Sequence, residues 1–214
     1  MRSESLLFGD VEHRRTYRRR LALAAVAVIG TATVMTAPAS ATEAIRDPKD
    51  LVLHPSEVPD GFKLESNATR YVSNAAFAQR QTRIRQLVVR SGRVSGYQAT
   101  YSQRTENATR TIVSIVHLCR QAAGAHVLFS SAEAEQRRFN AARVQRGGRA
   151  YRHAQGVLSD ESFVYWQGRR PYYTIVLWRS GRTVAVISSW GLGRQRSIEI
   201  ARAQERRIKE LTRG

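Results

Sequence analysis

The stretch RTIVSIVHLC, residues 110–119, decides the fold of this chain. From Ile112 onward, apolar side chains occur at both odd and even positions, so both faces of an extended strand would be largely apolar. Such a strand is favourable only where packed elements cover both faces, because an exposed face would leave apolar surface in water. We therefore predict that residues 110–119 form a central strand that is covered on both sides.

Strand patterns flank this stretch in both directions. Before it, FKLES (62–66) predicts a short strand, and the alternating VSGYQATYS (94–102) predicts a half-buried one. After it, ESFVYWQG (161–168) predicts another strand. The segment PYYTIVLWRSGRTVAVISSW (171–190) predicts two strands joined at Arg179-Ser180-Gly181-Arg182, since Ser-Gly at a tight turn between β-rich runs indicates a hairpin.

Three amphipathic segments predict helices, at residues 73–90, 121–139 and 195–213. Ser73 is a suitable N-terminal cap for the first of these helices. Residues 140–156 are expected to form an exposed loop with room for a short strand. Adjacent strands without crossover helices favour antiparallel pairing. We therefore predict an α+β fold, an antiparallel sheet of about five to six strands packed with helices, in the order β-α-β-β-α-β-β-β-α.

The N-terminal segment has the layout of an export signal. Five arginines between positions 14 and 20 precede an uncharged stretch, residues 21–37. Ala39-Ser40-Ala41 then offers the small side chains that a signal peptidase accepts. We predict cleavage between Ala41 and Thr42.

The domain organisation follows from this cleavage. Residues 1–41 are the predicted signal peptide, residues 42–50 a polar linker, and residues 51–214 one α+β domain, a length that suits a single hydrophobic core. Two alternatives stay open: an uncleaved membrane helix, and export through the twin-arginine route at Arg14-Arg15 rather than the general secretory route. We expect a secreted protein on the extracellular side of the cell envelope, attached to a membrane only through an uncleaved N-terminal segment.

The chain is strongly basic, with 35 Lys and Arg against 17 Asp and Glu and a net charge of +18. Removal of residues 1–41 would take away six basic and three acidic residues and leave +15. Such a charge attracts polyanions, whether nucleic acid, anionic lipid or envelope polymers, although it is also compatible with a merely solvated surface. Nucleic acid is the least available of these outside a cell, so we do not expect it as a partner.

No motif in the sequence predicts a catalytic centre. GxSxG is absent, and among the scattered histidines only His117 shares one side of a strand with the single cysteine, Cys119. Two donors are too few for a metal site, and Cys119 lies in an apolar run that predicts a buried core residue. We expect no cofactor and no metal. A hydrolase is an alternative only if Ser, His and Asp side chains converge in the folded chain.

Two surfaces are candidates for ligand binding. The first is a possible anion-binding patch of closely spaced arginines: Arg138, Arg143, Arg146, Arg149 and Arg152. The second is a set of strand aromatics that would line a groove for an apolar ligand or a sugar if helices cover one sheet face incompletely: Tyr97, Tyr101, Trp166, Tyr173, Trp178 and Trp190. A solvated surface and an ordinary aromatic core are the respective alternatives.

Several segments carry a family resemblance: LVLHPSEVPDGF (51–62), GRVSGYQATYS (92–102), IVSIVHLCRQAAGAHVLF (112–129), LSDESFVYW (158–166), and the RSGR hairpin with the final helix. Together they resemble a family of exported bacterial proteins of uncharacterised function, and the element order is similar to the PsbP-like fold. The resemblance implies no catalytic residues. We expect a non-enzymatic binding domain of the cell envelope, with two alternatives for the ligand: anionic polymers or lipids at the arginines, or an apolar ligand at the aromatics.

Overall fold

The computed structural model describes residues 46–79, 81–106, 108–158, 161–168 and 172–212. The predicted cleavage site at Ala41 and Thr42 lies outside these residues. The helices are α1 (Pro48–Leu51), α2 (Asn74–Ala78), α3 (Thr82–Ser91), α4 (Ala122–Gln145) and α5 (Arg194–Thr212). The strands are β1 (Lys63–Leu64), β2 (Arg70–Tyr71), β3 (Arg93–Thr105), β4 (Ala108–Cys119), β5 (Arg152–Gln155), β6 (Glu161–Trp166), β7 (Tyr173–Ser180) and β8 (Thr183–Trp190).

All strands join one antiparallel sheet in the order β1-β3-β4-β8-β7-β6-β5, with β2 also paired to β3. The predicted α+β class and antiparallel sheet are confirmed. The sheet has eight strands rather than five to six. The additional strands are short: β2 has two residues and β5 has four.

Strand β4 lies inside the sheet between β3 and β8, and both of its faces are buried. Val113, Ile115 and Cys119 face one core cluster, which helices α2, α3 and α4 cover. Ile112, Val116 and Leu118 face the other, which α1 and α5 cover. The predictions of a central strand and of a buried Cys119 are therefore confirmed, and below the two faces are called the α4 side and the α5 side.

A buried polar chain fastens the N-terminal segment to the α5 side. The Ser114 hydroxyl on β4 accepts a hydrogen bond from the Leu53 amide at 3.1 Å and donates to Gln204 Oε1 on α5 at 2.9 Å. Gln204 Nε2 in turn donates to the Leu51 carbonyl at 3.0 Å. Because every partner is buried, each bond satisfies a group that would otherwise be costly to remove from water.

Three local differences separate the structure from the sequence prediction. The helix predicted over residues 73–90 is divided into α2 and α3, because Gln79 ends α2 in the left-handed conformation, at a φ of 41°. Helix α4 continues to Gln145, into the segment predicted as an exposed loop, whereas β5 is the short strand for which that prediction left room. Helix α1 begins at Pro48, inside the predicted linker. None of the described helices is long and apolar enough to cross a membrane.

An edge segment, residues 63–72, runs along β3 and covers its outer side. Strand β1 pairs with residues 101–102 of β3 and strand β2 with residues 97–98, and between them the Glu65 amide donates to the Thr100 carbonyl at 2.8 Å. The Thr100 amide donates to the Thr69 hydroxyl at 3.2 Å. The middle of the outer edge of the longest strand, residues 96–102, is thus occupied by the same chain.

A buried cation lies at the start of β3. The Arg93 side chain is 3% exposed, and it donates to the Val72 carbonyl at 2.8 Å, to Asn74 Oδ1 at 2.5 Å and to His117 Nδ1 at 3.2 Å. Its guanidinium also lies 4.5 Å from the centre of the Phe77 ring. Burial lowers the pKa of Arg93 to about 10, so the group stays charged at neutral pH. No carboxylate among the described residues forms an ion pair with it.

The neighbouring His117 and Cys119 are chemically quiet. Burial, reinforced by the Arg93 charge, holds the pKa of His117 well below its usual range, so the imidazole is neutral and accepts from Arg93. Burial raises the pKa of the Cys119 thiol to about 11, despite the opposing effect of Arg93. The pair therefore lacks the thiolate that nucleophilic chemistry requires.

The arginine reaches His117 only because residue 96 is glycine. A Cβ atom at Gly96 would lie 2.5 Å from an Arg93 nitrogen and 2.6 Å from the Val116 carbonyl oxygen. We predict that Gly96→Ala destabilises the protein by about 2 kcal/mol or more in urea unfolding, because the overpacked site cannot relax on its backbone side. Gly168→Ala is the control, since its Cβ would make only ordinary contacts at 3.8 Å; equal stability of the two variants would contradict the packing argument.

The same cluster predicts a pH dependence of stability. Because the pKa of His117 is lower in the folded than in the unfolded chain, only the unfolded state takes up this proton just below pH 6.5, and stability must fall as the pH falls. The expected contribution is up to about 1.4 kcal/mol per pH unit. His117→Gln keeps an acceptor for Arg93 and should remove this contribution in urea unfolding between pH 5 and 7; an unchanged slope would contradict the assignment.

A basic helical face and a row of aromatic rings

The two sides of the sheet differ strongly in charge. On the α4 side, helix α3 together with residues 122–149 carries eight arginines and two glutamates, a net charge of +6. On the α5 side, residues 46–62 together with helix α5 carry eight basic and seven acidic residues, a net charge of +1. The positive charge of the helical layers is therefore concentrated on one face of the molecule, defined here as the basic face.

The arginines of the basic face are mostly exposed and outnumber their acidic neighbours. Seven of the eight are exposed: Arg83, Arg85, Arg90, Arg137, Arg138, Arg146 and Arg149. Within the described residues only Arg137 forms an ion pair on this face, with Glu133 at 2.6 Å. Burial raises the pKa of Glu135, although Arg83 and Arg138 oppose the shift. Glu133 is thus engaged by Arg137 and Glu135 lies near Arg83 and Arg138, so that two carboxylates are set against eight arginines.

The predicted arginine patch is divided by the sheet. Arg138 and Arg143 lie on α4, and Arg146 and Arg149 lie in the loop that follows it. Arg152 pairs in register with Trp166, whose ring packs on the α5-side core. Because directly paired residues share one face of a sheet, Arg152 also lies on the α5 side, away from the basic face. Arg83, Arg85 and Arg90, which the sequence analysis did not include, join the basic face because α3 packs beside α4.

The predicted aromatic groove is divided in the same way. Tyr97, Tyr101, Trp166 and Trp178 face the α5-side core. Tyr101 is 2% exposed and Trp178 is fully buried, so these two are core residues in the structure. Tyr173 packs on the α4-side core, and Trp190 contacts it on the same face, with ring centres 5.7 Å apart. The six residues therefore do not share one surface.

The α4 side instead carries a continuous row of rings. Tyr173 lies 6.1 Å from Tyr151, and Tyr151 lies 6.5 Å from Phe139 of α4 in a nearly parallel arrangement. With Trp190 these residues form the aromatic row, and all four are half-buried. Tyr151 and Phe139 were not among the residues predicted to line a groove. The seven-residue spacing of Ala132 and Phe139 indicates that they share one face of the helix. The position of Tyr151 could not be predicted, because it lies in the segment expected to be a loop.

Helix α4 fixes the position of Tyr151. The Asn140 side chain accepts from the Tyr151 amide at 2.8 Å and donates to the Tyr151 carbonyl at 3.2 Å, as a strand partner would. Arg143 donates to the Arg149 carbonyl at 2.9 Å, and its guanidinium lies 4.9 Å from the centre of the Tyr151 ring. The loop is thus folded back so that a charged guanidinium adjoins the row of rings.

Two histidines have partners that resemble parts of a catalytic relay. His54 Nδ1 lies 2.9 Å from the Ser56 hydroxyl, but the adjacent Glu57 carboxylate accepts from the His54 amide rather than from its ring. This arrangement is the cap of a short 3₁₀ turn, Pro55–Glu57. His126 lies 2.6 Å from a Glu161 oxygen, and no hydroxyl in the described residues hydrogen-bonds to its ring.

Glu161 also accepts a hydrogen bond from Arg179. Burial alone would raise the pKa of Glu161, but the bonds from Arg179 and His126 lower it. The carboxylate therefore stays ionised and joins α4 to the sheet. No group of three His, Cys, Asp or Glu side chains in the described ranges could hold a metal ion.

A comparison with solved structures shows the same fold elsewhere. The extracellular domain of PknH from Mycobacterium tuberculosis matches with a TM-score of 0.50, over 78% of this chain and 99% of that domain, at 12% sequence identity. At that identity the similarity shows the fold alone. No protein-family model and no curated protein matches the chain, so the resemblance to a family of exported proteins stays a prediction.

The role of Asn140 can be tested directly. We predict that Asn140→Ala lowers the unfolding free energy by about 2 kcal/mol, because two hydrogen bonds of about 1 kcal/mol each are lost. The Tyr151 amide should also exchange its hydrogen faster. Gln86→Ala, at an exposed position of α3, is the control. If Asn140→Ala leaves both quantities at the values of the control, Tyr151 is held by other contacts.

Proposed function

We propose that this protein is an exported, non-catalytic binding domain that attaches to an anionic polymer of the cell envelope through its basic face. The observation that carries the proposal is the charge difference across the sheet, +6 on one side and +1 on the other. Exposed charges of one sign raise the local concentration of an oppositely charged polymer and accelerate its association. A basic surface that served only for solubility would have no reason to lie on one side.

Export is supported by the predicted signal peptide and by the similarity of the fold to a domain that is extracellular in another protein.

A polymer is favoured over a lipid bilayer by the distribution of exposed apolar residues. Val89 and Val144 are 79% and 47% exposed, but they lie near opposite ends of the antiparallel pair α3 and α4. A carrier of apolar ligands has less support, because Tyr101 and Trp178 are core residues.

The test is the affinity for inorganic polyphosphate, measured by calorimetry at low and at physiological salt. Binding should weaken steeply with salt, since counterions are released from the polymer. The double variant Arg85→Gln/Arg138→Gln should weaken binding and reduce the logarithmic salt slope by up to about 2, or about 1 per arginine.

The matched control is Arg202→Gln/Arg206→Gln, which removes the same charge from exposed positions of α5. It should bind as the unchanged protein does, apart from a small effect of net charge. Equal losses in the two double variants would show that net charge alone drives binding, and absence of binding at low salt would refute the proposal. Stronger binding to anionic lipid vesicles than to polyphosphate would assign the face to a membrane.

A further inference from the structure

We infer that the aromatic row is a subsite for sugar rings, and that the polymer is therefore an anionic polysaccharide rather than a simple polyanion. This inference rests on the proposed function and narrows its ligand class. It joins the row, Phe139, Tyr151, Tyr173 and Trp190, to the arginines at the C-terminal end of α4.

The strand register shows that the row crosses the end of the sheet in a line. Trp190 of β8 is paired directly with Tyr173 of β7. The Gln167 amide, just beyond β6, donates to the Tyr173 carbonyl at 2.8 Å. Tyr151 stands just before Arg152, whose partner is Trp166, the residue before Gln167. Neighbouring strands lie about 4.8 Å apart, so the rings follow one another across the strands on the α4 side.

The exposure of the rings suits stacking. All four are half-buried rather than sealed in the core, in contrast to Tyr101 and Trp178 on the other side. An aromatic ring with one edge packed and part of its surface accessible offers a rigid apolar platform at low entropic cost. The C–H face of a sugar ring is the complementary surface, because it is apolar while the hydroxyl groups at its rim still require polar partners.

Such polar partners lie beside the rings. The Tyr173 hydroxyl accepts a hydrogen bond from the Ser188 hydroxyl at 3.2 Å. Gln167 occupies the register position between Tyr151 and Tyr173 and is half-buried. Hydroxyl and amide groups interspersed among rings favour a ligand that is apolar on its faces and polar at its rim. A lipid chain would bring no hydrogen-bonding group to the half-buried Gln167 amide, which is costly where it displaces water.

The charge at one end of the row favours an acidic sugar. The Arg143 guanidinium lies over the Tyr151 ring, and the described structure uses only part of its five N–H donors, toward Arg149 and Tyr151. Arg146 and Arg149 are exposed in the adjoining loop. A carboxylate on a stacked sugar ring would meet a planar guanidinium suited to two parallel hydrogen bonds.

The experiment compares four probes by calorimetry: a galacturonate hexamer, neutral maltohexaose, inorganic polyphosphate and a single-stranded thymidine hexamer. The variants are Tyr151→Leu and Trp190→Leu, which keep an apolar side chain but remove the flat ring. Trp166→Leu is the matched control, because Trp166 is also a half-buried strand-end aromatic that a guanidinium covers, but it lies on the α5 side. Thermal unfolding of each variant verifies that it is folded.

We expect the galacturonate hexamer to bind more tightly than maltohexaose. We also expect both row variants to weaken galacturonate binding roughly tenfold, the scale of one lost stacking contact, while Trp166→Leu changes nothing. Polyphosphate binding should be unaffected by all three. Binding should quench tryptophan fluorescence, because Trp190 is one of only three tryptophans in the chain and lies in the row.

The inference is overturned if the row variants leave the affinity for galacturonate unchanged, or if they weaken the binding of galacturonate and of polyphosphate equally. It is also overturned if maltohexaose binds as tightly as galacturonate. Tighter, row-dependent binding of the thymidine hexamer would overturn it in favour of single-stranded nucleic acid. Binding of polyphosphate without binding of galacturonate would refute this inference alone and leave the proposed function standing. Binding of neither polyanion would refute both.

Discussion

The burial of β4 on both faces is the constraint on which the rest of the structure depends. A strand with Ile112, Val116 and Leu118 on one face and Val113, Ile115 and Cys119 on the other must be covered twice. The chain covers it on the α4 side with α3 and α4, and on the α5 side with α5 and the N-terminal segment. The basic face is a consequence of this layering, since the outer faces of covering helices have no core to bury and are free to carry charge.

Buried polar groups fix how the covering layers dock. Ser114 is the polar interruption of the apolar strand, and its hydroxyl joins the N-terminal segment to Gln204 of α5. Arg93 does the corresponding work on the α4 side, since it holds Val72, Asn74 and His117 together. Apolar contacts tolerate small shifts between layers, whereas hydrogen bonds at 2.5–3.2 Å do not. The buried role of Arg93 could not be predicted from the sequence, because an arginine that follows a turn is ordinarily exposed on the surface.

Much of the fold could be predicted because its signals are local. The RSGR hairpin and the central strand are both present. The extent of α4 could not be predicted, because its C-terminal end is held by tertiary hydrogen bonds from Asn140 and Arg143 to the following loop. The division of the aromatics was readable in part. Tyr173 and Trp178 are an odd number of positions apart in one strand, so they must lie on opposite faces of the sheet. Arg152 was predicted to lie in a loop, and the sequence of a loop does not indicate on which face of the sheet a side chain lies.

The edge segment along β3 has a consequence for self-association. Strand β3 is thirteen residues long, and an open edge of that length is a template on which another chain can add a strand and begin a fibril. Residues 63–72 cover the middle of that edge, opposite residues 96–102, with two two-residue strands and bridging hydrogen bonds. Their detachment would expose this edge while the rest of the sheet stayed paired. Self-association through β3 therefore depends on the local stability of ten residues at the margin of the sheet, which can differ from the stability of the whole domain.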